Sequence, residues 1–180
     1  MKSLDIKLFN LINGMAKTSR WLDYFGIFCG VYLIFFMGAG ALAFFFYMPK
    51  EGGHVSWLKE QSSRLKYLFV LIGGSVSSYL ISVLVGLGTG RLRPFADSLE
   101  VHQLVSASFS YKSFPSSHAT VAFALAMSVF LFNRAWGIPM LAAAFLVSWG
   151  RVFVGVHYPS DVVAGAILGM LGSYIIYKLI

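Results

Sequence analysis

Two stretches without a single Asp, Glu, Lys or Arg, residues 24–49 and 67–90, constrain this chain more than any other feature. Each is longer than the ~20 residues a helix needs to cross the hydrocarbon core of a bilayer. The composition agrees. Hydrophobic residues make up 58% of the chain and charged residues 12%, with a mean hydropathy of +0.75, whereas a soluble domain carries roughly 25% charged residues. A chain of 180 residues is long enough for one domain and short for two, so residues 1–180 are read as a single membrane-embedded unit.

Five spans are expected: about Leu22–Met48, Leu65–Gly88, Ser116–Asn133, Gly137–Val156 and Asp161–Lys178. The last three have shorter uncharged runs and reach spanning length only if Ser116, His118, Arg151 and Asp161 lie at membrane depth or just above it. Polar groups there are costly and mark a functional site by default. Ahead of the spans, Leu4, Leu8, Leu11, Ile12 and Met15 line one helical face, with Lys2, Asp5, Lys7, Asn10, Asn13 and Lys17 elsewhere. The polar residues interrupt this run too often for a signal-peptide core, so no cleavage is expected. Residues 1–20 read instead as a helix lying in the interface. The expected fold is therefore all-α: a polytopic membrane helical bundle of five to six transmembrane helices with an N-terminal interfacial amphipathic helix. Long connections are expected over Pro49–Arg64 and Thr89–Pro115. Gly26 with Gly30, and Gly165 with Gly169 and Gly172, suit close helix packing, and the lone Cys29 is read as packing too.

The net charge of +7 is compatible with nucleic acid or anionic lipid. The basic residues form no run, however, and several sit beside other polar residues. No nucleic-acid partner is expected. Helices that alternate in direction bring Gly88–Arg93, Ser116–His118, Arg151 and His157–Asp161 to one side of the membrane. Arg93 and Arg151 offer planar forks of donors suited to phosphate oxygens. Pro115-Ser116-Ser117-His118 opens a helix whose free N–H groups and dipole favour an anion, with Ser116 or Ser117 as cap and hydroxyl donor. Pro159 belongs at a helix start, which leaves His157 in the turn above. There Asp161 can accept one ring N–H and free the other nitrogen to attack, and His118 can protonate the departing oxygen. His54 and His102 have no such company and are read as loop residues.

At these residues the chain resembles the type-2 phosphatidic acid phosphatase superfamily, whose motifs are K-x6-R-P, P-S-G-H and S-R-x5-H-x3-D. Here Gly90-Arg91-Leu92-Arg93-Pro94 stands for the first and Pro115-Ser116-Ser117-His118 for the second. Gly150-Arg151, five residues, His157, three residues and Asp161 make the third. The motif-bearing core runs over 65–180. The resemblance implies a lipid phosphatase with His157 as nucleophile through a phosphohistidine, Asp161 as its orienter and His118 acting on the leaving group. It further implies Arg93 and Arg151 on the phosphate, with no metal or other cofactor. The motif lysine is replaced by Gly86, and Arg91 or Lys112 is expected to supply its charge. Ser117 stands for the motif glycine and Gly150 for the motif serine.

The N-terminal pattern resembles the bacterial undecaprenyl-diphosphate phosphatase branch, which makes undecaprenyl diphosphate the expected substrate. Phosphatidylglycerophosphate, phosphatidic acid and lipid A phosphates stay open, as does phosphoryl transfer to another acceptor. The face opposite the site carries Lys50, Lys59, Arg64, Lys66, Arg134 and Lys178. The site face carries Lys2, Lys7, Lys17 and Arg20 once the candidate phosphate ligands are set aside. By the positive-inside rule the site lies on the outer, periplasmic face of a bacterial cytoplasmic membrane. Two rivals follow from the same residues. A transporter would carry its charges near mid-membrane, and His118, His157 and Asp161 could form a two-histidine, one-carboxylate metal set. The sequence is silent on oligomeric state.

Overall fold

The computed structural model describes residues 2–47, 57–97, 100–107 and 109–180, and among them the regular structure is entirely helical. An N-terminal helix, α1 (Lys2–Asn13), precedes the first span. That span runs through α2 (Arg20–Ile27), a π-helical segment (Phe28–Tyr32) and α3 (Leu33–Tyr47). The later elements are α4 (Trp57–Thr89), a short α5 (Pro94–Asp97), α6 (Ser117–Phe132), α7 (Arg134–Phe153) and α8 (Pro159–Leu179). The first span, α4, α7 and α8 are long and apolar enough to cross a membrane, and α6 is a shorter apolar helix. Among the described residues there are thus four helices of spanning length and one shorter apolar helix. The expected loop over Pro49–Arg64 gives way to helix from Trp57 onward, where α4 begins; His54 and Lys50 lie outside the described residues. The second long connection is interrupted by α5.

Local sequence explains the breaks that place the site. Asn133 ends α6 and caps α7, its Oδ1 accepting from Trp136 N at 3.1 Å, so the two helices are joined through one residue. After α7 the chain turns at Gly155, whose φ of +81° an L side chain rarely adopts. Pro159 then opens α8, and Asp161 reaches back to accept from Tyr158 N at 2.8 Å.

Helix α6 is the centre of the bundle, packed by α4, α7 and α8. Its Ala119, Ala122, Ala124 and Ala126 are fully buried, and small residues let backbones approach. A Cβ on Gly165 of α8 would lie 2.6 Å from the Ser116 carbonyl oxygen. The first span meets α7 the same way, since a Cβ on Gly150 would lie 2.7 Å from Gly30 Cα. That contact accounts for glycine where the motif has serine. A hydroxymethyl group at 150 would push the first span away.

Helix α1 docks differently from its sequence pattern. Phe9, Asn13 and Ala16 are buried and Asp5 is nearly so, while Leu4, Leu8 and Leu11 are exposed. Asp5 and Asn13, grouped with the polar side on sequence, face the bundle. Asn13 Nδ2 donates to the carbonyls of His102 and Phe153 at 2.9 and 2.8 Å, and its Oδ1 accepts from His102 N at 2.9 Å. The uncovered leucines form the face an interfacial helix offers to lipid.

Candidate active site

The site is assembled from three non-helical strips, residues 90–93 after α4, 110–116 before α6 and 154–158 between α7 and α8, and from the adjoining helix ends that carry Ser117, His118, Arg151 and Asp161. Backbone bonds knit the strips to one another and to α8. Arg93 N donates to Ser110 O at 2.8 Å, Ser113 N to Arg91 O at 3.0 Å, and Ser116 N to Asp161 O at 3.0 Å. The expected convergence on one side of the bundle is observed.

A cavity of about 590 Å³ opens there. Arg93, Lys112, Ser117, His118, Arg151 and His157 form its polar end, and Ile27, Val31, Tyr32, Phe35 and Tyr79 continue it as an apolar wall. His157 is buried. Its Nδ1 lies 2.9 Å from the Ser113 carbonyl oxygen and 3.7 Å from Asp161 Oδ2. The ring N–H is therefore held by the Ser113 carbonyl, while Asp161 stands beyond hydrogen-bonding distance. This corrects the expected pairing of His157 with Asp161. A carbonyl can only accept, so Nδ1 carries the proton and Nε2 keeps its lone pair. Nε2 faces the cavity's cations, 3.2 Å from Arg93 Nη1. Burial, joined by the charges of Arg151 and Arg93 and opposed by Asp161, pushes the His157 pKa down to about 4.

The arginines are fixed by carbonyls. Arg93 Nη1 donates to Val156 O at 3.0 Å, and Arg151 Nη1 to Gly30 O at 3.0 Å across the glycine contact. Nε of both arginines is buried without a partner among the described residues. Buried guanidinium donors are normally satisfied, and an oxyanion in the cavity is the acceptor that this geometry accommodates.

Behind His157 lies a second cluster of opposite character. The fully buried Asp161 accepts from Arg91 Nη1 on Oδ1 at 2.6 Å, and from Ser113 Oγ on Oδ2 at 2.6 Å in addition to Tyr158 N. Its oxygens are filled by donors, which leaves the rival metal set without its carboxylate. Arg91 Nη2 reaches Asp5 Oδ2 at 2.7 Å, and the guanidinium lies over the Tyr158 ring at 4.5 Å.

Two candidates for the missing motif charge are thereby separated. Arg91 is committed to Asp5 and Asp161, away from the cavity. Lys112 lines the cavity, and a Cβ on Gly86 would lie 2.9 Å from its Cγ and 3.1 Å from its Cε. The Lys112 chain crosses the place from which a lysine at 86 would start. Of the two serines, Ser117 lines the cavity and pairs with Ser82 Oγ at 3.0 Å. Ser116 occupies the N-cap position of α6, but its Oγ is buried, makes no cap bond and has no partner among the described residues. Sequence reasoning missed Ser113 and Asp5. Ser113 acts in part through its carbonyl, which leaves no mark in a side-chain pattern. Asp5 was findable, since Asp5, Phe9 and Asn13 recur at the spacing of one helical face.

With this geometry in place, the model of the PAP2 superfamily matches residues 64–180. The chain belongs to the PAP2 superfamily. As a PAP2 protein with its spans it is a membrane lipid phosphatase. It is 30% identical over 175 residues (97% of this chain, 79% of the relative) to a Bacillus licheniformis protein named bacitracin transport permease protein BcrC. It is 28% identical over 173 residues (96% and 80%) to the putative undecaprenyl-diphosphatase YbjG of Escherichia coli K12. The crystal structure of Aquifex aeolicus LpxE superposes with a TM-score of 0.73 at 23% identity, covering 97% of this chain and 95% of that one. That likeness speaks to the PAP2 fold alone.

Proposed function

We propose that this PAP2 chain hydrolyses undecaprenyl diphosphate to undecaprenyl phosphate through a phosphohistidine on His157. The observation that carries this reading is the cavity itself: an unprotonated imidazole nitrogen beside the Arg93 guanidinium, ringed by cations at one end of an apolar wall. Arg93, Arg151 and Lys112 bind the terminal phosphoryl group, with Ser117 as a hydroxyl donor and the α6 N-terminus beneath it. Nε2 of His157 attacks phosphorus as the anhydride P–O bond breaks, and His118 gives its proton to the departing oxygen. Nδ1 keeps its proton against the Ser113 carbonyl, and the nearby Asp161 charge stabilises the positive ring. Water then attacks the phosphohistidine, His118 takes a proton back, and inorganic phosphate leaves.

The Escherichia coli relative's name supports the choice of lipid, and the apolar wall supports a long hydrocarbon substrate. Phosphatidylglycerophosphate, phosphatidic acid and the phosphates of lipid A present the same head-group chemistry and are the competing substrates. The Bacillus licheniformis relative carries a transport name. Ionisable groups gathered at one end of the bundle favour an interfacial enzyme over a transport path. The charge bias of the connecting segments supports a bacterial cytoplasmic membrane with the site on its outer face.

Phosphate release by purified, detergent-solubilised protein tests the proposal, with chelator present and these four lipids as the panel. Chelator-resistant release, fastest from undecaprenyl diphosphate and abolished in His157→Ala, is the expected result. Preference for another lipid overturns the substrate. Label passed to an acceptor other than water overturns hydrolysis.

A further inference from the structure

The family model begins at residue 64, so α1 lies outside it, yet α1 delivers a carboxylate to the back of the active site. Asp5 accepts from Ser160 N on Oδ1 at 2.9 Å, and from Ser160 Oγ and Arg91 Nη2 on Oδ2 at 2.6 and 2.7 Å. Ser160 is the second residue of α8, where a backbone N–H has no partner within its own helix. Asp5 therefore caps α8 from another element, beside the cap that Asp161 gives to Tyr158 N. Arg91 ties the two carboxylates together, since its Nη1 bonds both Ser160 Oγ at 2.7 Å and Asp161 Oδ1 at 2.6 Å. Ser113 carries this chain of bonds on to His157, its Oγ donating to Asp161 Oδ2 at 2.6 Å and its carbonyl accepting from His157 Nδ1 at 2.9 Å.

We propose that Asp5 is a positioning residue for catalysis, acting through Arg91 and Ser160 to hold the His157–Asp161 turn in its working geometry. The residue reaches no phosphate and faces no part of the nucleophile's cavity. Its effect is exerted on where Nε2 points. The inference rests on the phosphohistidine reading above. Several features make the clamp firm. Asp5 is 11% exposed. Burial raises its pKa, but the hydrogen bonds from Ser160 and Arg91 outweigh burial and hold it below its ordinary value, so the clamp is ionic at neutral pH. Helix α1 is itself pinned by Asn13 and by Phe9, whose ring lies 5.5 Å from that of Tyr158.

The test uses full-length protein in detergent and compares wild type with Asp5→Asn, Arg91→Ala and the double variant, with Lys7→Ala on the exposed face of α1 as control. Asp5→Asn should lower kcat by roughly tenfold to hundredfold, the cost of a small misplacement of a reacting group, and leave KM unchanged. The double variant should be no slower than Arg91→Ala alone, because the two residues act in series. Amide hydrogen exchange, which needs no turnover, should be about tenfold faster at 160–161 in Asp5→Asn and unchanged in the middle of α8, since a charge-assisted bond is lost at one end only. Lys7→Ala should match wild type. Unchanged exchange in Asp5→Asn overturns the clamp. Faster exchange with intact kcat, a loss confined to KM, or multiplicative losses in the double variant overturns the positioning role. If wild type turns over none of the lipids, the phosphohistidine reading fails, and the exchange result alone decides whether the clamp exists.

Discussion

Arg91 and Arg93 are separated by one residue, yet they serve opposite halves of the site. Arg93 belongs to the front half, with Lys112, His118, Arg151 and His157, where positive groups gather and the buried Nε donors of both arginines lack partners among the described residues. Arg91 belongs to the rear half, with Asp5, Ser113, Ser160 and Asp161, where charges alternate and each side chain is hydrogen-bonded to another. An unsaturated cluster of one sign is prepared for a ligand of the other. A saturated cluster is prepared for nothing except holding its shape. The front is therefore expected to govern binding and chemistry, and the rear the placement of His157.

The comparison can be broken by substitution. His157→Ala should cost roughly 10⁴-fold in kcat or more, since loss of a nucleophile leaves only binding and electrostatics; single-turnover phosphate release measures it. Arg151→Lys should lose about 10²- to 10³-fold, because an ammonium cannot replace a fork aimed at phosphate oxygens while also bonding Gly30. A loss as small as that of a rim charge would place Arg151 outside the front half.

A pH profile sharpens the same point. With its pKa pushed down to about 4 by burial and by Arg151 and Arg93, His157 is neutral at pH 5 and loses its lone pair only as pH falls through about 4. An unperturbed histidine near 6.5 would already have cost roughly thirtyfold at pH 5. An acid limb of kcat/KM near 6.5 would contradict the buried geometry.

The smallest effect is the most diagnostic. Lys112→Ala should raise KM by about tenfold, the worth of one charge-assisted bond, and Gly86→Lys in that background should restore it. Rescue would show that the two chains reach one place. Failure of the rescue with a clear loss in Lys112→Ala would mean that Lys112 binds elsewhere on the substrate.

The spans were legible because charge is excluded from the hydrocarbon core whatever the packing, so residues 24–49 and 67–90 announce themselves. Arg93, His118, Arg151 and His157 were legible because polar residues at the ends of apolar helices have few other reasons to be there. The partner of His157 was misread. The four-residue spacing to Asp161 suggested a direct bond, whereas Pro159 and the capping of Tyr158 turn Asp161 back onto the helix start and give the ring N–H to a backbone carbonyl. Ser116 takes the N-cap position expected of it, but among the described residues its Oγ makes no cap bond, and it does not line the cavity.

What the sequence by itself determined is what depends on local composition and solvent: five membrane-length or near-membrane-length helices, their breaks at Asn133 and Pro159, and the end of the bundle where the polar residues collect. What only the tertiary structure decided is which charge faces which. Arg91 and Lys112 look interchangeable as sources of a missing positive charge, and Asp5 looks like one more polar residue of an amphipathic helix. Electrostatic pairing falls off over a few ångströms and takes no account of distance along the chain. The placement of these three follows from the docking of α1 against the turn before α8, and from the path that Gly86 leaves open for a side chain 26 residues further on.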